Sequence, residues 1–177
     1  MIELIKWSIF MFLSIGLIAF CWKSMEQIFS HGFFRFFVYE AILGLFLVNS
    51  DYWIIDPLAP LQIVSWVFLC GALIMAIHGF HLLRVVGKPT EDFDNASTTA
   101  KVGMYKYIRH PLYCSLLLLI FGLLLKQISA VSVFITIIAL AFLIITTKVE
   151  ENENKKKFGT EYDSYLKTTR MFIPFVF

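Results

Sequence analysis

An all-α integral membrane protein, with about five transmembrane helices, a C-terminal helical hairpin and a short cytoplasmic C-terminal helix, is the fold class that three observations predict. Of 177 residues, 59% are hydrophobic, 19 are Phe, and the mean hydropathy is +0.76, far from the composition of a soluble domain. Apolar runs long enough to cross a bilayer recur along the chain. Its Lys and Arg residues gather where alternate ends of those runs would share one face.

The first run, Leu4 to Trp22, is too long for a signal-peptide core and no A-x-A-like site follows it, so it reads as a permanent helix. Phe33 to Asn49 and Leu61 to Val86 give helices two and three. The fourth run, Leu112 to Leu125, covers only about 21 Å at 1.5 Å per residue, against a hydrocarbon core of about 30 Å. It must begin earlier, thin the bilayer, or pair with the fifth run, Ile128 to Thr147, and the short Lys126-Gln127 break favours such a hairpin. No repeat, low-complexity linker or soluble domain is visible, so residues 1–177 read as one membrane domain. Its first part, 1–86, holds three helices, and 100–174 carries the functional motifs.

With five spans, thirteen Lys and Arg fall on one side and two, Lys6 and Lys126, on the other. Cytoplasmic loops retain such charges, which predicts an outside N-terminus and a cytoplasmic C-terminus. The polar stretches Gly87 to Lys101 and Glu150 to Arg170 then share the cytoplasmic face. A net charge of +2 gives no case for nucleic acid. Cys21, Cys70 and Cys114 have neither disulfide nor zinc spacing and read as small core residues.

Chemistry concentrates in Gly103-Met104-Tyr105-Lys106-Tyr107-Ile108-Arg109-His110-Pro111-Leu112-Tyr113. Proline keeps the residue before it out of helical angles and suits the first helical position, so helix four should start at Pro111. His110 then sits at a helix N-terminus, which favours an anion, and Arg109 adds a second donor. Tyr105 and Tyr113 bracket the site with ring faces and hydroxyls. An interfacial aromatic belt with two anchoring cations is the bland alternative.

Downstream, Glu151–Lys155 and Glu153–Lys157 have i,i+4 spacing, so helix five should continue past the membrane until Gly159 stops it. Thr160-Glu161-Tyr162-Asp163 resembles a capping box opening a short helix with Tyr162, Tyr165 and Leu166 on one side. Glu150 lacks an i+4 lysine and could accept hydrogen bonds from ribose hydroxyls. A solvated charge run is the alternative there.

Together these segments resemble the superfamily of isoprenylcysteine carboxyl methyltransferases and phospholipid methyltransferases. The matching elements are Gly103-Met104-Tyr105, Arg109-His110-Pro111-Leu112-Tyr113, Glu150-Glu151, Phe158-Gly159 followed by Tyr162 and Tyr165, and Ile173-Pro174, covering about Ala100 to Pro174. The resemblance implies S-adenosylmethionine as methyl donor, held by Tyr105, His110, Pro111, Leu112 and Tyr113 with Glu150 on its ribose, and partly shielded by the C-terminal segment. It implies a lipid or prenylated acceptor, with carboxyl methylation of an isoprenylcysteine-like substrate preferred because a carboxylate needs no general base. Phospholipid or small-molecule N- or S-methylation is the second reading. A non-catalytic scaffold or small transporter retaining the fold is the third.

Two departures bear on the acceptor. Prenylcysteine-type members often carry Arg four residues before the Glu pair, where Thr146 stands here, and a His-x-Leu-Val pattern is replaced by Ser97-Thr98-Thr99-Ala100. Arg109 and Glu40 are the candidate substrate contacts. Glu40, inside helix two, could instead pair with a helix-three cation. No metal is expected, because His78 and His81 find no third ligand at helical spacing.

Overall fold

The computed structural model describes residues 2–86 and 103–172. The Gly87 to Lys101 stretch, the Ser97–Ala100 departure and the Ile173-Pro174 element lie outside the described residues. Six α-helices are described: α1 (Ile2–Met25), α2 (His31–Val48), α3 (Pro60–Val86), α4 (Pro111–Leu124), α5 (Ala130–Phe158) and α6 (Thr160–Thr168). Four of them, α1, α2, α3 and α5, are long and apolar enough to cross a membrane; α4 is apolar but shorter. Among the described residues there is no β-strand, only one isolated parallel bridge between Ile108 and Arg170. The helices group into two compact units, Met1–Leu69 with Leu119–Glu150, and Cys70–Leu118 with Glu151–Phe177.

In the first unit, α1 turns one narrow stripe inward: Lys6, Phe10, Ser14, Leu17, Cys21 and Ser24 are among its less exposed positions, spaced by three and four as a helix face requires. Polar tethers lie along that stripe. Lys6 pairs with Asp51, and the Ser14 hydroxyl donates to Glu40 Oε2 at 2.8 Å. Glu40 therefore engages α1 through this oxygen. Ser30 caps α2, accepting from the Phe33 N–H at 3.3 Å. The phenylalanines of α2 form an edge-to-face cluster, and Phe37 stacks on Phe142 of α5 at 4.9 Å.

The α4–α5 turn resolves the problem of the short fourth run. α4 starts at Pro111 and not earlier, so its 14 residues rise about 21 Å and its last carbonyls stop short of a 30 Å apolar layer. Backbone polar groups at such depth must find partners within the protein. Ser65 Oγ donates to Gly122 O (2.7 Å), Asn49 Nδ2 to Leu123 O (2.8 Å) and Gln62 Nε2 to Lys126 O (2.8 Å). Ser129 then caps α5 by accepting from the Ser132 N–H, while Ser132 Oγ donates to Asn49 Oδ1.

Lys126 itself is 1% exposed. Its ammonium lies 3.6 Å from the centre of the Trp66 ring, 5.3 Å from that of Trp53, and donates to Gln62 Oε1 at 3.2 Å. Among the described residues, ring quadrupoles and not a carboxylate face this cation.

Two sequence expectations about small features need correction. Cys70 is exposed on α3 and is no core residue, although Cys21 is buried and Cys114 half-buried. Thr160 does not cap α6. Gly159, at φ +55°, ends α5 and is itself the N-cap, so its carbonyl accepts the first bond of α6, from the Asp163 N–H, and Thr160 already lies inside the helix. A left-handed φ at this turn is the conformation glycine adopts at least cost.

Candidate cofactor site

The second unit brings together the Gly103–Tyr113 segment, the first residue of the Glu151–Phe158 end of α5, and α6 with the residues after it. Gly103–Lys106 forms one 3-10 turn. Gly103 has φ +59°, a conformation that costs glycine least, and a Cβ there would stand 2.6 Å from the end of the Leu82 side chain of α3. Tyr107 and Ile108 both donate their N–H to Met104 O, which reverses the chain toward α4.

The next three residues are fixed by pairing with the C-terminal segment. Arg170 N–H donates to Tyr107 O at 3.0 Å, Arg109 N–H to Arg170 O at 2.7 Å, and His110 N–H to Met171 O at 3.3 Å. Tyr165 of α6 adds a side-chain bond, its hydroxyl donating to Tyr105 O at 2.6 Å. Burial pushes the Tyr165 phenol far above its usual range, with neighbouring Tyr162 and Tyr105 adding to it, so it serves as a neutral donor.

Pro111 opens α4 as its sequence requires, so Leu112 and Tyr113 stand in its first turn. The His110 ring stacks against Tyr113, centroids 5.5 Å apart. Tyr105, His110 and Tyr113 are all buried, at 9%, 6% and 6% exposure, and so is Pro111, while Leu112 is half-buried against Gly79.

The structure gives Glu151 a partner other than the one its helical spacing suggested, and that partner is Arg109. Glu151 is no surface partner of Lys155. Its Oε1 accepts from Arg109 Nε at 2.6 Å and lies 3.4 Å from His110 Nε2. Arg109 Nη1 also donates to Thr169 O at 2.6 Å and Leu166 O at 3.4 Å. The two side chains are only 11% and 14% exposed. Burial alone would raise the Glu151 pKa; the nearby His110 ring, the hydrogen bond from Arg109 and the charge on Arg109 outweigh it and hold the carboxyl below the usual range. Lys155 is exposed.

A sequence signal for Glu151 existed. The buried positions of α5 include Ser132, Thr136, Ala139, Leu143 and Thr147, and one more helical step of four reaches residue 151. Glu150 precedes it on the same helix and falls, like Glu40, in the first unit. Thr146 there is fully buried.

Comparison with known families bears on this arrangement. The family model described as phospholipid methyltransferase matches residues 61–161, more than half of the chain. The chain belongs to the phospholipid methyltransferase family. It is thereby a member of the membrane methyltransferase superfamily that also contains the isoprenylcysteine carboxyl methyltransferases. No curated protein and no solved structure matches it. The family match contains the Gly103–Tyr113 segment, α4 and the Glu150-Glu151 pair, so the ring stack, the helix N-terminus and the Arg109–Glu151 pair all belong to the methyltransferase region. A methyl donor is implied by that membership.

Proposed function

We propose that this membrane methyltransferase takes its methyl group from S-adenosylmethionine at the Tyr105–Tyr113 segment and transfers it to an amine-bearing lipid headgroup. The donor set suits that cofactor: the α4 N-terminus and His110 complement a carboxylate, Tyr105 and Tyr113 offer ring faces to a sulfonium or adenine, and Glu150 is proposed for the ribose hydroxyls. When bound, the cofactor supplies an electrophilic methyl whose leaving group is a neutral thioether. The protein's share is then to orient the reactants and exclude water, which the burial of His110 and Tyr113 favours.

The observation that supports an amine acceptor is the engagement of Arg109. Its guanidinium faces Glu151 and the carbonyls of Thr169 and Leu166, whereas a carboxylate acceptor calls for a cation turned toward substrate. Neutral, buried Thr146 stands where prenylcysteine-type relatives carry Arg. Carboxyl methylation of an isoprenylcysteine-like substrate retains one point in its favour, that an ionised acceptor needs no base.

The proposed orientation has the N-terminus outside and the C-terminus cytoplasmic, which puts the donor site on the face where the nucleotide cofactor is made.

The test uses the full chain in lipid nanodiscs with methyl-labelled donor, offering aminophospholipids and prenylcysteine analogues in parallel and identifying products by mass spectrometry. A methylated amine is expected. An amine with a pKa of about 10 must lose its proton before attack, so its methylation should rise with pH from 6 to 9, whereas a carboxylate of pKa about 4 gives a flat profile. Methyl ester as sole product, with a flat profile, overturns the amine reading.

A further inference from the structure

We propose that Arg109 and Glu151 are positioning residues that hold the donor site in shape by tying three separate segments together, and that Arg109 makes no contact with the acceptor. This rests on the reading of the site as a methyl-donor site.

The need for such a tie follows from the local structure. The residues between the 3-10 turn and α4 belong to no helix, and three main-chain bonds to residues 170 and 171 are what align them. A two-stranded pairing this short is not stable alone in water. Side chains must therefore hold the C-terminal segment against residues 107–110. Arg109 does so from the middle of the pairing: Nε reaches Glu151 on α5, while Nη1 reaches the carbonyls of Leu166 and Thr169, at the end of α6 and just beyond it. The cation thus also meets carbonyls at a helix C-terminus, where positive charge is favoured. Glu151 completes the tie, and the same oxygen lies 3.4 Å from Nε2 of the His110 ring that stacks on Tyr113. Tyr165 closes the other end on Tyr105 O.

A planar guanidinium can serve a carboxylate and a carbonyl at once; an ammonium is a single point. Arg109→Lys should therefore fail to substitute although it keeps the charge, and Glu151→Asp should rescue in part what Glu151→Gln loses.

Two measurements on the full chain in detergent test this. In the first, hydrogen exchange is followed at the Arg109, His110 and Arg170 amides without any cofactor, so it stands whether or not S-adenosylmethionine is the donor. Glu151→Gln and Arg109→Lys are expected to speed exchange there at least tenfold, with α1 and α2 amides unchanged. In the second, steady-state methylation separates the two substrates. Both variants should raise the donor KM about ten- to hundredfold, as loss of a charged hydrogen bond implies, and leave the acceptor KM unchanged. The Arg109→Lys, Glu151→Gln double variant should lose no more than either alone. Lys155→Ala, which removes the helical neighbour expected from sequence, should resemble the parent. Unchanged exchange at the three amides, an acceptor KM that rises while the donor KM stands, or a Lys155→Ala effect equal to that of Glu151→Gln would each overturn the proposal.

Discussion

At the scale of single residues, adjacent glutamates on one helix are given different roles. Glu151 has an arginine at 2.6 Å and a histidine at 3.4 Å, whereas Glu150 lies a step of about 100° away round α5 and is the carboxylate proposed for ribose. Glu150→Gln and His110→Ala are expected to weaken binding of S-adenosylmethionine about ten- to hundredfold while the protein stays folded, since each removes one charge-assisted or directional contact; calorimetry in detergent measures it. Glu151→Gln should reduce binding as well and also loosen the fold. Its pH dependence has a definite sign. Because the folded-state pKa of Glu151 is lowered from 4.5, its contribution to stability is complete above about pH 4.5 and fades as pH falls through the lower folded value. The difference in unfolding midpoint between parent and Glu151→Gln should therefore be constant from pH 6 to 8 and shrink below pH 4.5. A difference that grows on acidification would mean the carboxyl is protonated in the fold.

At the scale of elements, the α4–α5 turn shows how a helix too short to cross a bilayer is accommodated. Its carbonyls at Gly122 and Leu123 are taken by Ser65 and Asn49, that of Lys126 in the turn by Gln62, and the Lys126 side chain is held between Trp66, Trp53 and Gln62. Asn49 carries two of these links, one to Leu123 O and one from Ser132 Oγ, and is fully buried. Asn49→Leu removes both bonds, at about 0.5 to 1.5 kcal/mol each, although Leu123 O keeps the Lys126 N–H and Ser132 Oγ keeps Ser129. Thermal unfolding in detergent should show a clear loss of stability for it, and a smaller one for Ser14→Ala, which removes a single bond from the lipid-exposed α1. Equal effects would show that the turn is not specially dependent on its side-chain caps.

At the scale of the whole molecule, the thirteen-to-two charge distribution gives the expected topology, and reporter fusions at the two ends check it: an outside N-terminal and a cytoplasmic C-terminal signal are expected, and both signals on one side would contradict an odd number of crossings. Much of the architecture was legible in the sequence because its causes are local. Apolar run length sets where α1, α2, α3 and α5 form, Pro111 sets the start of α4, and Gly159 sets the end of α5, each through backbone geometry or bilayer thickness acting within a few residues. The His110–Tyr113 stack also follows locally, from three residues' separation across one helix start. Partner choice was another matter. Glu151 has Lys155 at helical spacing and Arg109 forty-two positions away; Glu40, left open between substrate and a helix-three cation, has the hydroxyl of Ser14 as a neighbour; Lys126 was counted as a charge outside and is buried among aromatic rings. Sequence by itself determined the membrane class, the helix limits and the family motif. Only tertiary structure decided which charges meet, because desolvation and geometry in a packed interior outweigh the weak attraction available to neighbours on an exposed helix face.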